Sequence, residues 1–240
     1  MNIDHSNTHS SFLDKVNMSN LCQEITLPTD PIQHIDDHSG EIALCILSAV
    51  NVGVVKDEEL EEICDLAVRG LEELIDYQEY PVSAAELSTR ARRSLGIGYI
   101  GLAHYLAKHR VKYSDQNAWN LVHELTEKFQ YYLLKSSNEI AKEKGACDYF
   151  DRTKYSQGIL PIDTYKKDVD DIVKPKYSMD WEKLRAEIMT NGLRHSTLTA
   201  QMPSESSSVS SNATNGIEPV SYTHLRAHET VLDLVCRLLL

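Results

Sequence analysis

No stretch of the chain runs for about 18 apolar residues, so no ordinary transmembrane helix is expected. The opening segment, MNIDHSNTHS, has neither a basic start nor an apolar run after it, so no secretory leader is expected there. Cysteine is sparse: Cys22, Cys45, Cys64, Cys147 and Cys236 include no CxxC pair, which argues against a zinc ribbon. A reducing cytoplasm is therefore the expected compartment, with thiols free unless they do redox work. Basic residues are in the minority, 24 Lys and Arg against 36 Asp and Glu, for a net charge of −12. That balance argues against general nucleic-acid binding, which needs clustered cations to neutralise phosphates. It leaves room for a small anionic ligand held by local donors. There is no internal repeat and no GxSxG nucleophile turn.

What is present is ordinary for a globular protein: 42% apolar and 25% charged residues over 240 positions, enough for one large domain or two small ones. Collagen-like, coiled-coil and wholly disordered classes are excluded. Residues 1–19 are polar, without a usable period. Residues 20–29 (NLCQEITLPT) read as a loop or short strand stopped by Pro28 and Pro31, and 30–40 as a turn-rich connection. Residues 42–55 (IALCILSAVNVGVV) form a continuous apolar run, the pattern of a strand buried on both faces in a parallel sheet. From Lys56 to Tyr77 apolar residues recur at helical spacing, Leu60, Ile63, Cys64, Ala67, Val68, Leu71, Leu74 and Ile75 among them. Asp57 and the acids after it suit the positive end of that helix. Residues 94–101 read as a strand leading into a helix near 102–109. A long helix is predicted over 115–144 with Gly145 as its cap, a loop or strand end at 158–164, a short helix at 180–191, and a strand at 197–202. Strands alternating with helices give an α/β fold class.

Several motifs carry less than they suggest. Gly96, Gly98 and Gly101 spell GxGxxG, but the preceding STRARRSL is basic rather than an apolar strand. The next acid, Asp115, comes too soon for a dinucleotide fingerprint. A nicotinamide dehydrogenase is set aside on that context. His34 and His38 flank Asp36 and Asp37 between Pro31 and Gly40, which reads as a solvated loop rather than a metal site. Cys64 lies on an apolar stripe and reads as a small core residue. His195 beside Ser196 is not a catalytic pair by itself, and nothing assigns a role to Cys147.

Three features can carry chemistry. Asn20, Cys22 and Glu24 alternate, so in an extended segment an amide, a thiol and a carboxylate point the same way. On spacing alone, a polar loop with a stray cysteine is the better account. Cys45 falls within the expected buried strand, where a core thiol is the plainer reading. Pro203, Ser204, Glu205, Ser206 and Ser207 follow the expected strand at 197–202. Small hydroxyl residues and free N–H groups at a strand-to-helix turn make an anion cradle, although a helix cap or a flexible serine loop fits as well.

The blocks NLCQEITLPT, GEIALC, RARRSLGIG, GILPIDTYKKD, LRHSTLTAQMPSES and SNATNGIEP resemble the large catalytic subunit of aerobic class I ribonucleoside-diphosphate reductases, the bacterial and phage branch above all. The resemblance runs from Met1 to about Pro219. It implies a second-half segment of a ten-stranded α/β barrel, with a finger loop over about 18–30 and a phosphate loop at 203–207. It implies that Cys22 becomes the thiyl radical that takes the 3′-hydrogen of the ribose. Glu24 becomes the base for the 3′-hydroxyl, and Asn20 a substrate-binding amide. Cys45 becomes half of the redox pair that supplies electrons, and Pro203 to Ser207 hold the substrate diphosphate. It also implies partners: a ribonucleoside diphosphate, a second large subunit, thioredoxin or glutaredoxin, and a small subunit whose di-iron tyrosyl radical starts the chemistry. No cofactor and no metal are expected in this chain, and ATP or dNTP effectors are expected to bind outside it.

The family's enzyme extends beyond this chain on both sides. The partner of Cys45, the effector sites, the radical-relay tyrosines and the tail cysteines are all expected elsewhere. The chain alone is therefore expected to be inactive and poorly stable, with an exposed apolar sheet edge. Residues 220–240 (VSYTHLRAHETVLDLVCRLLL) depart from the family pattern and resemble translated sequencing-adapter read-through, so Cys236 is given no role. A truncated, non-catalytic relative acting as a binding or regulatory module is the competing expectation.

Overall fold

In the computed structural model, the chain divides into two compact units, residues 1–40 and 41–240. The structure describes residues 40–173 and 177–217, and all that follows concerns the second unit. The finger-loop residues Asn20, Cys22 and Glu24, the His34–His38 pair and the 220–240 tail lie outside the described residues.

The unit begins with a βαβ crossover. Strand β1 (Ile46–Asn51) is followed, after a 3-10 turn at Asp57–Glu59, by helix α1 (Leu60–Tyr77). Helix α2 (Ser83–Arg92) then leads into strand β2 (Leu95–Ile100), which pairs with β1 in parallel from Ile46↔Leu95 to Asn51↔Ile100. A crossover is what joining parallel strands demands. Helix α3 (Leu102–Lys108) follows β2 at once, and α4 (Gln116–Lys144) spans 29 residues, about 43 Å at 1.5 Å per residue. The chain continues through two short turns of helix, α5 (Pro161–Thr164) and α6 (Val169–Ile172), then α7 (Trp181–Asn191) and α8 (Glu205–Ser210). Between α7 and α8 the segment around Thr199 runs parallel to β2, bonded at Leu95 N–H to Thr197 O and Ile97 N–H to Leu198 O.

The core lies where α1 and α4 cover the sheet. Cys64, Val68 and Ile75 of α1 meet Ile97 of β2 and Leu125, Phe129 and Leu133 of α4, all buried. Cys64 is a core residue as its spacing implied, and burial first, with Glu61 second, pushes its thiol up to about 12. The same helix exposes Leu74, which the periodic pattern had counted inward.

The apolar run at 42–55 is not a strand buried on both faces. The strand covers only Ile46–Asn51; Leu44 and Leu47 are 42% and 45% exposed, and Val52 to Val54 form a turn whose N–H groups fold back on Val50 and Asn51. Among the described residues β1 pairs on one side only, which leaves a strand edge of backbone groups open along the other, while Leu47 is exposed on a face of the sheet. This is the exposed edge that a partial barrel would leave. The expected strand at 197–202 reduces to a single bridge at Thr199. The expected loop at 158–164 contains α5, where Pro161 opens a turn and Asp163 accepts the Leu160 N–H at 2.7 Å. Helix α2 has no large apolar stripe to betray it; its buried face is Ala84, Ala85, Ser88, Thr89 and Ala91.

Candidate functional site

The carboxyl edge of a parallel sheet is where side chains from successive strand ends gather and where helix N-termini point. Here β2 gives way to Gly101, which sits at φ +80 and where a Cβ would also lie 2.4 Å from Asn51 Oδ1. Asn51, last residue of β1, turns its amide oxygen to accept the Gly53 N–H at 3.1 Å. Lys108 donates to Gly53 O at 3.0 Å, which ties this turn down onto α3. Gly98 admits the third segment: a Cβ there would lie 2.2 Å from Ala200 O. The glycines of the GxGxxG motif thus serve close packing: Gly98 against backbone, Gly96 against the Leu47 side chain and Gly101 against that of Asn51.

The segment that crosses Gly98 delivers the serine loop to this edge. Pro203, Glu205, Ser206 and Ser207 are exposed, whereas Ser204 is buried. The Ser204 hydroxyl donates to Asn215 Oδ1 at 2.5 Å, its carbonyl accepts the Ser208 N–H at 2.8 Å, and Gly101 N–H donates to Thr214 O at 2.9 Å. The loop is thereby closed on itself and fastened to the end of β2. Among the described residues the N–H groups of Glu205, Ser206 and Ser207 meet no protein acceptor, so the exposed turn presents donors to solvent. Chemically it can receive an anion. The sequence pattern singled out 203–207; Asn51, Thr214 and Asn215 were missed, and of these only Asn51, at the end of an apolar strand, carried a signal of its position.

Cys45 is placed differently. It is an exposed free thiol immediately before β1, not a buried strand residue. The chain on either side is pinned: Ile46 N–H donates to Ser94 O at 3.2 Å, Ile42 N–H to Ala84 O at 3.1 Å, and Glu41 pairs with Arg92 at 2.7 Å. Cys45 therefore marks the amino edge of the sheet. The serine loop marks the opposite one, with the length of β1 between them, roughly 20 Å. The structure does not bring the two together within this unit.

The amino edge holds a cluster that sequence reasoning missed. Glu72 is 1% exposed and accepts at once from Arg194 Nε at 2.8 Å, Arg93 Nε at 2.7 Å and His195 Nε2 at 3.0 Å. Asp76 takes the other end of Arg93 at 2.6 Å. Burial by itself would raise the Glu72 carboxyl, but the bonds from His195, Arg93 and Arg194 hold it far below the usual carboxylate range. His195 is driven below its ordinary value, first by burial and against the pull of Glu72. The signal was an acid at a position flanked by Val68, Leu71 and Ile75, on the inward face of an amphipathic helix.

Two open hollows lie away from these positions. One, about 700 Å³, is lined by Gln116, Asn120, His123, Asp171 and Ser178 among others. The other, about 450 Å³, runs between α1 and α4 past Glu62, Asp65, Arg69 and Lys135. No group of three or more metal-ligating side chains occurs among the described residues, and no described helix is long and apolar enough to cross a membrane.

Comparison with known proteins brings a single family forward. The sequence profile described as "Ribonucleotide reductase, barrel domain" matches residues 1–231. The chain is 60% identical to the ribonucleoside-diphosphate reductase subunit alpha of Haemophilus influenzae over 91% of its own length and 29% of that protein. It is 58% identical to the ribonucleoside-diphosphate reductase 1 subunit alpha of Escherichia coli over the same shares. It is 44% identical to the subunit alpha of Enterobacteria phage T4 over 90% of the chain and 29% of that protein. The chain thus spans about 29% of the length of these curated relatives.

Proposed function

Because the chain belongs to the ribonucleotide reductase barrel-domain family, we propose that it is the catalytic core segment of a ribonucleoside-diphosphate reductase large subunit, converting ribonucleoside to deoxyribonucleoside diphosphates. The observation that carries this reading is the family match over residues 1–231, which takes in Cys22, Glu24, Cys45 and the serine loop together. Support from the fold is the parallel α/β unit with an open apolar edge, and a donor-rich turn at the carboxyl edge.

In this reading the Cys22 thiyl abstracts the 3′-hydrogen, becoming a thiol and leaving a carbon radical on the ribose. An S–H bond and an activated ribose C–H bond are close in strength, so the exchange is nearly reversible. Glu24 takes the 3′-hydroxyl proton, which favours departure of the 2′-hydroxyl as water. Asn20 holds the substrate beside it, and orientation of this kind contributes about 7–11 kcal/mol in favourable cases. Cys45 and a second thiol outside this chain close to a disulfide and supply two electrons and two protons: one proton leaves with the 2′-oxygen as water, and the other hydrogen goes to C2′. Cys22 then returns its hydrogen to C3′. Cys45 is a free, exposed thiol, as a group that must be re-reduced after each turnover requires. The exposed donors of 203–207 suit a diphosphate.

A small subunit carrying a di-iron tyrosyl radical supplies the oxidising equivalent that starts the cycle. A second large subunit completes the enzyme, and thioredoxin or glutaredoxin recharges it, in the cytoplasm. The test is reduction of a nucleoside diphosphate by the full-length protein carrying this segment, with small subunit and reductant. Turnover that vanishes in Cys22→Ser supports the reading, and unchanged turnover overturns it. The 240-residue chain alone should show none.

A further inference from the structure

The segment that delivers the serine loop is held to the sheet by a sparse ladder. One bridge, Ile97↔Thr199, and bonds at Leu95, Ile97 and Ala200 fix it beside β2. Register is weakly specified where a ladder is this short, and a slip of one residue would carry the loop about 3.3 Å and turn every side chain over. The anchor lies at the other end of the segment. Arg194 and His195, eight residues or so before the loop, both bind Glu72, at 2.8 and 3.0 Å. Arg93, which begins the approach to β2, binds the same carboxylate at 2.7 Å. One buried acid therefore sets the start of β2 against the start of the loop-bearing segment. Arg93 adopts φ 49, ψ 49, a left-handed conformation that costs a non-glycine residue energy, and its guanidinium bonds to Glu72 and Asp76 offset that cost.

His195 completes the anchor in one protonation state. Its Nε2 faces Glu72 Oε2 and its Nδ1 lies 2.9 Å from the Ser137 hydroxyl, whose oxygen already receives the His195 N–H at 3.2 Å. The consistent arrangement is a neutral ring that donates from Nε2 and accepts at Nδ1. The charged groups facing it are Glu72 from α1, Arg93 after α2 and Arg194 beside it, and from α4 it meets the uncharged Ser137. Glu72 already serves two guanidinium groups, and Asp76 serves Arg93 and Arg90, so a proton on the ring adds an unmatched buried charge and removes the acceptor that Ser137 uses.

We propose that Glu72 and His195 are positioning residues for the serine loop, and that the loop loses its placement in acid because the anchor needs a neutral imidazole. This rests on the reading of 203–207 as the diphosphate loop. The direction follows from linkage: the buried ring sits below its ordinary 6.5, so the anchor is intact above that pH and weakens as pH falls past it.

His195→Gln is the informative variant. Its amide can donate to Glu72 and accept from Ser137 across a similar span, but it does not titrate. In the full-length enzyme, the KM for a nucleoside diphosphate should rise about fivefold more for wild type than for H195Q between about pH 7.5 and about pH 5.5, with kcat moving in parallel in both. Comparing two proteins cancels titration of the substrate's own phosphate. Parallel KM profiles would overturn the proposal. Should wild type reduce no diphosphate at all, the reading of the loop fails, and the anchor is still tested by amide exchange on the full-length protein. There, exchange of the Ile97 and Ala200 amides should quicken in acid in wild type relative to H195Q, and equal acceleration in both would sink it.

Discussion

The two edges of the sheet are built on opposite principles. At the amino edge, charge gathers around one buried acid: Glu72 holds Arg93, Arg194 and His195, and Asp76 takes the other end of Arg93. At the carboxyl edge there is little charge; glycines, hydroxyls and amides leave backbone donors facing out, with Ser204 and Asn215 closing the turn. A matched cluster fixes geometry because any displacement exposes a charge to low dielectric. An unmatched turn offers its hydrogen bonds to a ligand. The contrast teaches that placement and binding need not share an edge: the anchor sits where nothing binds, and the binding edge inherits its register.

Glu72→Ala attacks that contrast most strongly. It removes the carboxylate that Arg93, Arg194 and His195 share, leaving the buried Arg93 with Asp76 alone, and should destabilise the unit by about 3 kcal/mol, read as a fall in the urea midpoint. The wild-type cluster should also fail in acid. A carboxyl held below its ordinary 4.5 contributes stability that is present above that pH and lost as pH falls below it, so Glu72 adds an acid limb beneath that of His195. An urea midpoint that stays flat from neutral pH down to about pH 3 would contradict the cluster's geometry.

Gly98→Ala comes next. A methyl 2.2 Å from Ala200 O must push the loop-bearing segment off β2, at about 1–3 kcal/mol, and should weaken diphosphate affinity without touching the loop itself. Ser204→Ala, which removes the 2.5 Å bond to Asn215, should cost about 1 kcal/mol in a thermal melt. Smallest in stability is Cys45→Ser, within about 0.5 kcal/mol because the thiol is exposed. Its effect belongs to chemistry: the full-length enzyme should still form a substrate radical, detectable by spectroscopy, but fail in repeated turnover. Normal repeated turnover would remove Cys45 from the redox pair.

Surface ion pairs provide the control for the buried ones. Arg69 pairs with Asp65 and Glu143 at 2.9 Å, all three well exposed. Arg69→Ala should therefore cost no more than about 1 kcal/mol, against the larger loss at Glu72.

What was legible in the residues follows the same division. Helices α1, α4 and α7 and strand β2 were readable because long apolar periods or a continuous apolar run dictate them. Helix α2 was not, because its buried face is made of Ala, Ser and Thr, which carry no hydrophobic contrast. Cys45 was misjudged because an apolar run does not say where pairing starts; the strand begins one residue later and leaves the thiol out. The serine loop was readable from its composition, while its fastening to Asn215 and Gly101 was not.

By itself the sequence determined the α/β class, the order of its long elements and, through its motif blocks, the family to which the chain belongs. Only the tertiary structure decided that Glu72, Arg93, Arg194 and His195 meet, and that Cys45 and the serine loop lie at opposite edges. The reason is physical. Periodicity reports which face of an element avoids water, a local property, whereas a shared carboxylate between residues more than a hundred positions apart exists only once helices and strands have packed.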